Sequence, residues 1–318
     1  MKIVINGTGA MGSLYATLLT QAGHKDLWCV DGWTEHVNCI QKNGLDVRHI
    51  DQGKEEWENV RFRIFHSCEE ARESMGCNAD VVLIFVKAVG TEQAIQEAAC
   101  LIGPETKVVS VQNGVGNADV LAKYVKPENI YFGTTTLGAQ LLAPGKINGT
   151  SKDVPNMHTL IMPYRGKVDD KIREVAATFN IGGINMQVSE DTEAKIWEKL
   201  CSNAAGNPLT GLLRLTAGTI ASDEDGEWIM TQVIEETVKV AAAKGLKLNV
   251  DWVLPFSKKI PSMASMGVDF KFQRQTEIEV INGAIVRGGK EFGIPTPVNE
   301  VLYHMVRAAQ RHYSERCF

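Results

Sequence analysis

Lys2-Ile3-Val4-Ile5-Asn6-Gly7-Thr8-Gly9-Ala10-Met11-Gly12 is the stretch that decides how the first half of this chain is read. The apolar run Ile3-Val4-Ile5 predicts a short strand, and Met11 to Gln21 continues as a helical pattern. A glycine turn between a strand and a helix start makes a cradle for an anion. Its glycines permit the turn, the approach of a pyrophosphate and tight helix-to-strand packing, while the helix N-terminus favours negative charge. A Gly-x-Gly-x-x-Gly run alone is weak; the strand before it and the helix after it turn Gly7, Thr8, Gly9, Ala10, Met11 and Gly12 into a dinucleotide-binding expectation. A purely structural glycine turn is the alternative.

Outward from this turn, short apolar runs alternate with amphipathic ones. Lys2 to Asn6, Leu27 to Val30, Val81 to Val86, Val108 to Val111 and Ile130 to Thr134 read as strands. Met11 to Gln21, Thr91 to Leu101 and Ala118 to Tyr124 read as helices, the pattern of βαβ units feeding a mainly parallel sheet. The polar run Asp51 to Glu56 is expected to be an exposed loop. Thr159 to Met162 and Ile184 to Val188 extend the strands, with a helix over Asp169 to Phe179. After Ser189 long helical patterns take over, at Thr192 to Gly206, Glu227 to Lys244, Phe270 to Phe292 and Val298 to Arg311. The expected division is an α/β domain over 1–189 and a helical domain over 190–318.

Bulk properties agree with two cores. The 318 residues are 44% apolar, enough to fill both, and the net charge of −5 is spread without blocks of either sign. That balance argues against a nucleic-acid surface. The start offers no secretory apolar segment, and no run has the roughly 18 apolar residues of a membrane helix. Cysteines at 29, 39, 68, 77, 100, 201 and 317 form no CxxC pair, so reduced thiols and a cytoplasmic location are expected. For Cys201, close to the candidate site, helix packing is the simpler reading and chemistry the sharper one. Seven scattered histidines show no HExxH or compact Cys/His pattern, so no metal is expected and a metal-dependent alcohol dehydrogenase is disfavoured.

Three residues at strand ends point toward the same cofactor. Asp31 closes the second strand, 19 residues beyond Gly12, where a carboxylate accepts from adenosine ribose hydroxyls. No Arg or Lys occurs from Gly32 through Gln41 to offset a ribose phosphate, so NAD(H) is favoured over NADP(H). Lys87 is expected at the end of a central strand, where it can pair with cofactor oxygens or lie solvated. Asn113, in Asn113-Gly114-Val115-Gly116, can orient the nicotinamide ribose or the substrate; Asn-Gly is equally a turn sequence.

In the helical half, Lys199, Asn203 and Asn207 recur every four residues among apolar neighbours, which reads as a polar seam facing a cleft, and Pro208 predicts a helix break. A ketone gaining a hydride develops charge on its oxygen, and a lysine can both stabilise it and donate the proton. Packing on an exposed helix face is the alternative. Ser265 can donate to a substrate carboxylate. Glu277, expected on a helix, can position Lys199 or a substrate hydroxyl. Glu279, two residues on, is expected to point elsewhere. Surface capping and ordinary ion pairs are the plainer roles for these residues.

The ordered series Gly7-Thr8-Gly9-Ala10-Met11-Gly12, Val86-Lys87-Ala88, Gln112-Asn113-Gly114-Val115-Gly116, Thr135-Thr136-Leu137-Gly138-Ala139 and Ile196-Trp197-Glu198-Lys199-Leu200 resembles the ketopantoate reductase family, the 2-dehydropantoate 2-reductases and related 2-hydroxy-acid dehydrogenases. Asn203, Asn207-Pro208-Leu209-Thr210, Thr276 to Gly283 and Gly293-Ile294-Pro295-Thr296-Pro297 carry the resemblance over almost the whole chain. It implies an α/β Rossmann-type N-terminal domain plus an all-helical C-terminal domain, 6-phosphogluconate-dehydrogenase-like, with a cleft between them. It also implies that Lys199 is the general acid and that Glu277 holds the active-site network. By the same resemblance Asn113, Asn203, Asn207 and Ser265 contact substrate, and Lys87, Asn113 and Ala139 contact cofactor. Hydride would pass from C4 of the reduced nicotinamide to C2 of a 2-oxo acid, giving an (R)-2-hydroxy acid.

Two positions depart from the pantothenate-pathway members of that family, which generally use NADPH. Asp31 stands where a basic residue is common, and Leu137 replaces the imidazole of a Thr-Thr-His-Gly-Ala run. Both turn the expectation toward a D-2-hydroxy-acid dehydrogenase using NAD(H) and acting on branched or aromatic acids such as D-mandelate. NADPH-dependent ketopantoate reduction in pantothenate biosynthesis is the alternative, and a non-enzymatic dinucleotide sensor a remoter one. A small 2-oxo or 2-hydroxy acid is the expected partner, with the helical domain able to support a homodimer.

Overall fold

The computed structural model describes residues 1–51, 54–149 and 158–315. The chain forms two units, Met1–Gln112 with Asn117–Thr192, and Asn113–Gly116 with Glu193–Phe318. The first is a Rossmann-type α/β unit and the second is all-helical apart from its loops. The loop Asn113–Gly116, read from sequence as part of the α/β domain, belongs with the helices. Cys317 lies outside the described residues.

The first unit opens with β1 (Ile3–Asn6), α1 (Ala10–Gln21), β2 (Leu27–Val30), α2 (Thr34–Asn43), β3 (Leu45–Asp51), β4 (Lys54–Val60) and β5 (Ile64–Phe65). It continues through α3 (Cys68–Met75), β6 (Val81–Ile84), α4 (Thr91–Glu97), β7 (Lys107–Ser110), α5 (Asn117–Leu121), β8 (Ile130–Thr135), β9 (Gln140–Ala143) and β10 (Lys146–Asn148). It closes with β11 (Thr159–Pro163), α6 (Asp170–Ile181) and β12 (Met186–Val188). The large sheet has the order β12-β11-β8-β7-β6-β1-β2-β5, parallel except where β11 meets β8. Strand order therefore reverses between β1 and β6, the position where open α/β sheets bind ligands at the strands' carboxyl ends.

β1 and β6 are buried along their whole length because helices cover both faces. Ile3 and Ile5 enter one core with Leu14 and Leu19 of α1 and Phe179 of α6. Val4 points the other way, into a core with Ile95 of α4 and Leu121 of α5. Each such aliphatic side chain contributes about 1.5–3 kcal/mol on burial, which fixes the register of the central strands.

Asp51 to Glu56 is not the expected loop: β3 and β4 form a hairpin paired from Leu45 opposite Val60 to Asp51 opposite Lys54, with residues 52 and 53 outside the described residues. Backbone pairing needs only one buried face, supplied here by Leu45, Val47 and Val60, so the polar side chains of β4 gave a misleading loop signal.

The second unit comprises α7 (Thr192–Leu213), α8 (Ala217–Ser222), α9 (Glu224–Ala243), α10 (Val253–Ser257), α11 (Ser265–Lys271), α12 (Asn282–Phe292) and α13 (Pro297–Arg311). Its core joins Trp197, Leu200 and Ala204 of α7 to Val233 and Val240 of α9, Ile285 of α12 and Val306 of α13. Phe270 to Phe292 is not one helix. α11 ends because Gln273 takes a left-handed conformation, φ 53°, and Arg274 N donates back to Asp269 O at 2.9 Å. This is the hydrogen-bonded stop that glycine normally makes, here built on a residue that carries no such signal.

The expected break at Pro208 is also absent, since α7 runs through it. Proline has no N–H to donate to the carbonyl four residues back, which is Ala204. Asn282 fills that role: its Nδ2 donates to Ala204 O at 3.1 Å and to Asn299 Oδ1 at 3.0 Å. Asn299 is held in turn by Glu236, whose carboxylate accepts from Asn299 N at 2.9 Å and from Asn299 Nδ2 at 2.8 Å. A carboxylate at the start of α13 also suits that helix's positive end. Asn282→Ala is expected to lower unfolding stability by about 1–3 kcal/mol in urea titration, because it strands buried acceptors. Adding Pro208→Ala should recover part of that loss by returning an N–H to Ala204, and additive losses would contradict this account.

Candidate active site

In the α/β unit, β1 delivers the chain into Gly7 with φ 98°, and a Cβ there would lie 2.4 Å from Val86 N. At Gly12 a Cβ would lie 2.2 Å from Gly7 O. Packing against protein therefore demands both glycines. Gly9 differs: a Cβ there would meet nothing within 4 Å, so protein packing does not explain its lack of a side chain. The N-terminus of α1 has no side-chain cap, leaving its amides aimed at that open space. Ala10 and Met11 form the first turn of that helix. A cradle of backbone donors with room beside it fits a pyrophosphate.

The loop is tied to the end of β2 through one oxygen. Val30 O accepts from Gly7 N at 2.9 Å, Thr8 N at 3.1 Å and Thr8 Oγ1 at 3.0 Å. Asp31 follows immediately, and its Oδ1 accepts from Trp33 N at 2.8 Å, which fixes the carboxylate beside the loop. His36 of α2 is fully buried under the same turn. Its Nε2 lies 2.9 Å from Thr8 O, its Nδ1 accepts from Gly145 N at 3.0 Å, and the exposed Trp33 stacks on it with ring centroids 5.3 Å apart. Burial lowers the imidazole's pKa against the opposing pull of Asp31. His36 drew no functional reading from sequence, where it was one of seven scattered histidines.

Lys87 is exposed and stands beyond β6, which ends at Ile84 rather than continuing to Val86. The intervening turn is held by Gln112, whose Nε2 donates to Val86 O at 2.7 Å and Thr91 Oγ1 at 2.8 Å. Ala139 and Leu137 lie between β8 and β9, half-buried against the core that contains α1. Leu137 N donates to Thr135 Oγ1 at 3.2 Å.

In the helical unit, α7 carries Lys199, Asn203 and Asn207 on successive turns. Burial pushes the Lys199 ammonium down to about 8, and the negative charge of Glu277 acts in the opposite direction. Glu277 is itself buried. It lies not on a helix but in the non-helical segment before α12. Thr276 N and Oγ1 donate to Gln310 Oε1 at 3.1 and 2.7 Å, anchoring one end of that segment, and Asn282 anchors the other. Glu279 does point elsewhere, accepting from Tyr303 OH at 2.7 Å and pairing with Arg307 at 3.1 Å.

Asn113 enters this unit through its loop. Val115 N donates to Val280 O at 2.9 Å, and Gly114, φ 85°, lies where a Cβ would come within 2.5 Å of Val280. The Asn113 loop is thus paired with the segment that carries Glu277. Asn207 is buried, Asn203 half-buried, and Ser265 is exposed at the first position of α11. Close packing of Gly267 against Thr210 Oγ1 brings α11 onto α7 near Asn207. Cys201 is fully buried and burial raises its thiol to about 12, the character of a packing residue. Among the described residues, no group of three His, Cys, Asp or Glu side chains could hold a metal ion, and no helix is long and apolar enough to cross a membrane.

Two family models cover most of the chain: ketopantoate reductase PanE/ApbA over residues 3–157 and ketopantoate reductase PanE/ApbA C terminal over residues 191–310. The 2-dehydropantoate 2-reductase of Streptococcus pyogenes serotype M18 is 31% identical over 316 residues, covering 98% of both chains. That of Halobacterium salinarum is 29% identical, covering 98% of this chain and 99% of its own. A ternary structure of D-mandelate dehydrogenase with NADH and anilino(oxo)acetate is similar at 30% identity and TM-score 0.88, covering 99% of each chain. The PanE/ApbA family ketopantoate reductase of Ralstonia eutropha JMP134 is similar at 28% identity and TM-score 0.85, covering 99% of this chain and 100% of its own. With these matches across both its units, the chain belongs to the ketopantoate reductase (PanE/ApbA) family, which includes D-2-hydroxy-acid dehydrogenase relatives.

Proposed function

We propose that this protein is an NAD(H)-dependent D-2-hydroxy-acid dehydrogenase that reduces a 2-oxo acid to an (R)-2-hydroxy acid, with Lys199 as general acid. The observation that carries this reading is the lysine of α7 whose ammonium burial brings to about 8 while Glu277 supports its charge. A group of that kind holds a proton near neutral pH and releases it readily. Family membership supports the coarser activity, NAD(P)H-dependent oxidoreduction between 2-oxo and 2-hydroxy acids.

The dinucleotide would be held by the Gly7–Gly12 turn, with Asp31 accepting from the adenosine ribose and Lys87, Asn113 and Ala139 as further contacts. When bound, the reduced nicotinamide supplies the hydride. The chain's own work is electrostatic and positional. The Lys199 ammonium faces the carbonyl oxygen, stabilises its developing charge and transfers a proton to it, and solvent then reprotonates the amine. Glu277 keeps that ammonium charged against the cost of burial and orients it. Asn113, Asn203, Asn207 and Ser265, of the helical substrate-binding unit, orient the acid's carboxylate and hydroxyl oxygens. Exposed Val301 and Met305 on α13 support the homodimer reading.

A second reading, NADPH-dependent 2-dehydropantoate 2-reductase, is favoured by the curated relatives that carry that activity in their names. Asp31 weighs against it, because a 2′-phosphate would meet a carboxylate fixed at the end of β2. Initial rates with NADH or NADPH, using ketopantoate, 2-ketoisovalerate and phenylglyoxylate, separate the readings. NADH with a non-pantoate acid and an (R) product is expected, and preference for NADPH with ketopantoate would reverse the assignment. Asp31→Arg should move the NADPH-to-NADH ratio of kcat/KM upward by about tenfold or more.

Lys199→Ala should lower kcat/KM for reduction by about 10²–10⁴, with dinucleotide binding retained as measured by cofactor fluorescence. Reduction needs the ammonium, so its rate should fall as pH rises through about 8, while oxidation, which needs the amine, should rise through the same range. Glu277→Gln removes the charge that raises the Lys199 pKa, so both limbs should move to lower pH. A profile that stays in place would separate Glu277 from Lys199.

A further inference from the structure

We propose that His36 is a positioning residue for the dinucleotide, orienting the Gly9 amide of the glycine turn through the Thr8 carbonyl; the proposal rests on the reading of Gly7–Gly12 as the dinucleotide cradle. Its tautomer follows from its partners. Gly145 N–H can only donate, so Nδ1 must present a lone pair at 3.0 Å. The neutral ring then carries its proton on Nε2, which donates to Thr8 O at 2.9 Å. Ser13 Oγ donates to the same oxygen at 2.9 Å.

The carbonyl of Thr8 and the N–H of Gly9 belong to one trans peptide plane and point in opposite directions. Two donors drawing Thr8 O inward therefore turn the Gly9 N–H outward. A Cβ at Gly9 would meet nothing within 4 Å, so the turn has open space beside this residue. The imidazole thus links the aim of one cradle amide to the Gly145 turn leading into β10, across 109 residues of sequence between His36 and Gly145.

Protonation would set an Nδ1–H against the Gly145 N–H and break this arrangement. The charged group facing the ring is Asp31, which favours the proton. Thr8, Ser13 and Gly145 present only uncharged groups, Trp33 covers one face, and the Cys39 thiol of α2 lies against Gly145. Lys146, next to Gly145, is paired with Asp46 at 3.4 Å.

Two amide variants divide the ring's functions. His36→Gln can place a donor where Nε2 stood, while His36→Asn offers an acceptor at the Nδ1 position and no donor that reaches Thr8. The measurement is the Kd of NADH by fluorescence on the full chain, with kcat at saturating cofactor and thermal unfolding recorded beside it. His36→Asn should weaken NADH roughly five- to tenfold with kcat within about twofold, and His36→Gln should stay within about threefold of the parent. Because burial lowers the imidazole's pKa, the parent's affinity should also fall as pH drops below the ordinary histidine range, a dependence that His36→Gln flattens. Parent-like binding by His36→Asn, or equal loss of affinity and kcat in both variants, would overturn the inference. Should His36→Asn not fold, a pH dependence unchanged in His36→Gln would overturn it instead. A parent that binds neither NADH nor NADPH would remove the cradle reading itself, and the inference with it.

Discussion

Three hydrogen bonds converging on the carbonyl oxygen of Val30 hold the α/β unit's working edge together. Gly7 N, Thr8 N and Thr8 Oγ1 all donate to it, so the turn after β1 and the end of β2 move as one piece. The arrangement is available only because Gly7 can reach φ 98° while lying against the backbone of Val86. From that junction follow the exit of α1, the place of Asp31, and the open space beside Gly9. A side chain at Gly7 would push the turn off β6 and separate the three strands whose ends make the cradle.

In the helical unit the equivalent constraint is electrostatic. An ammonium removed from water by the packing of α7 loses much of its preference for the charged form, and Glu277 returns part of it. The glutamate reaches that position on a segment with no regular structure, pinned by Gln310 at Thr276, by Val115 at Val280 and by Asn282 at the start of α12. Fixing an irregular segment at three points gives it the rigidity a helix would have provided while leaving the backbone free to turn.

What could be read from the sequence were features with a local cause. The glycine turn sits between a strand and a helix whose patterns are unambiguous, and β1, β2 and β6 are apolar because both their faces are covered. The four-residue recurrence of Lys199, Asn203 and Asn207 likewise needed only helical geometry. Features with a distant cause were misread. Gln273 ends α11 by a backbone conformation its side chain does not advertise, β4 pairs despite its charges because β3 supplies the buried face, and Pro208 is tolerated because Asn282 satisfies the carbonyl it abandons. His36 carries no signal in the sequence for the same reason, since one of its partners, Gly145, is remote along the chain. The joining of the Asn113 loop to the segment of Glu277, through Val115 N and Val280 O, has no local signal in the sequence.

The exchange at Pro208 also bears on the order in which the helical unit is assembled. All-helical units are generally rich in local contacts and form quickly. Here the carbonyl of Ala204 finds its donor 78 residues downstream, so the second half of α7 remains incompletely bonded until α12 exists. During synthesis from the N-terminus the α/β unit is complete long before that donor emerges. Docking of Asn282 then completes α7 and fixes the end of the Glu277 segment in a single event. The helix that carries Lys199 and the carboxylate that supports its charge are thus finished together, and a nascent chain has the glycine turn well before it has that pair.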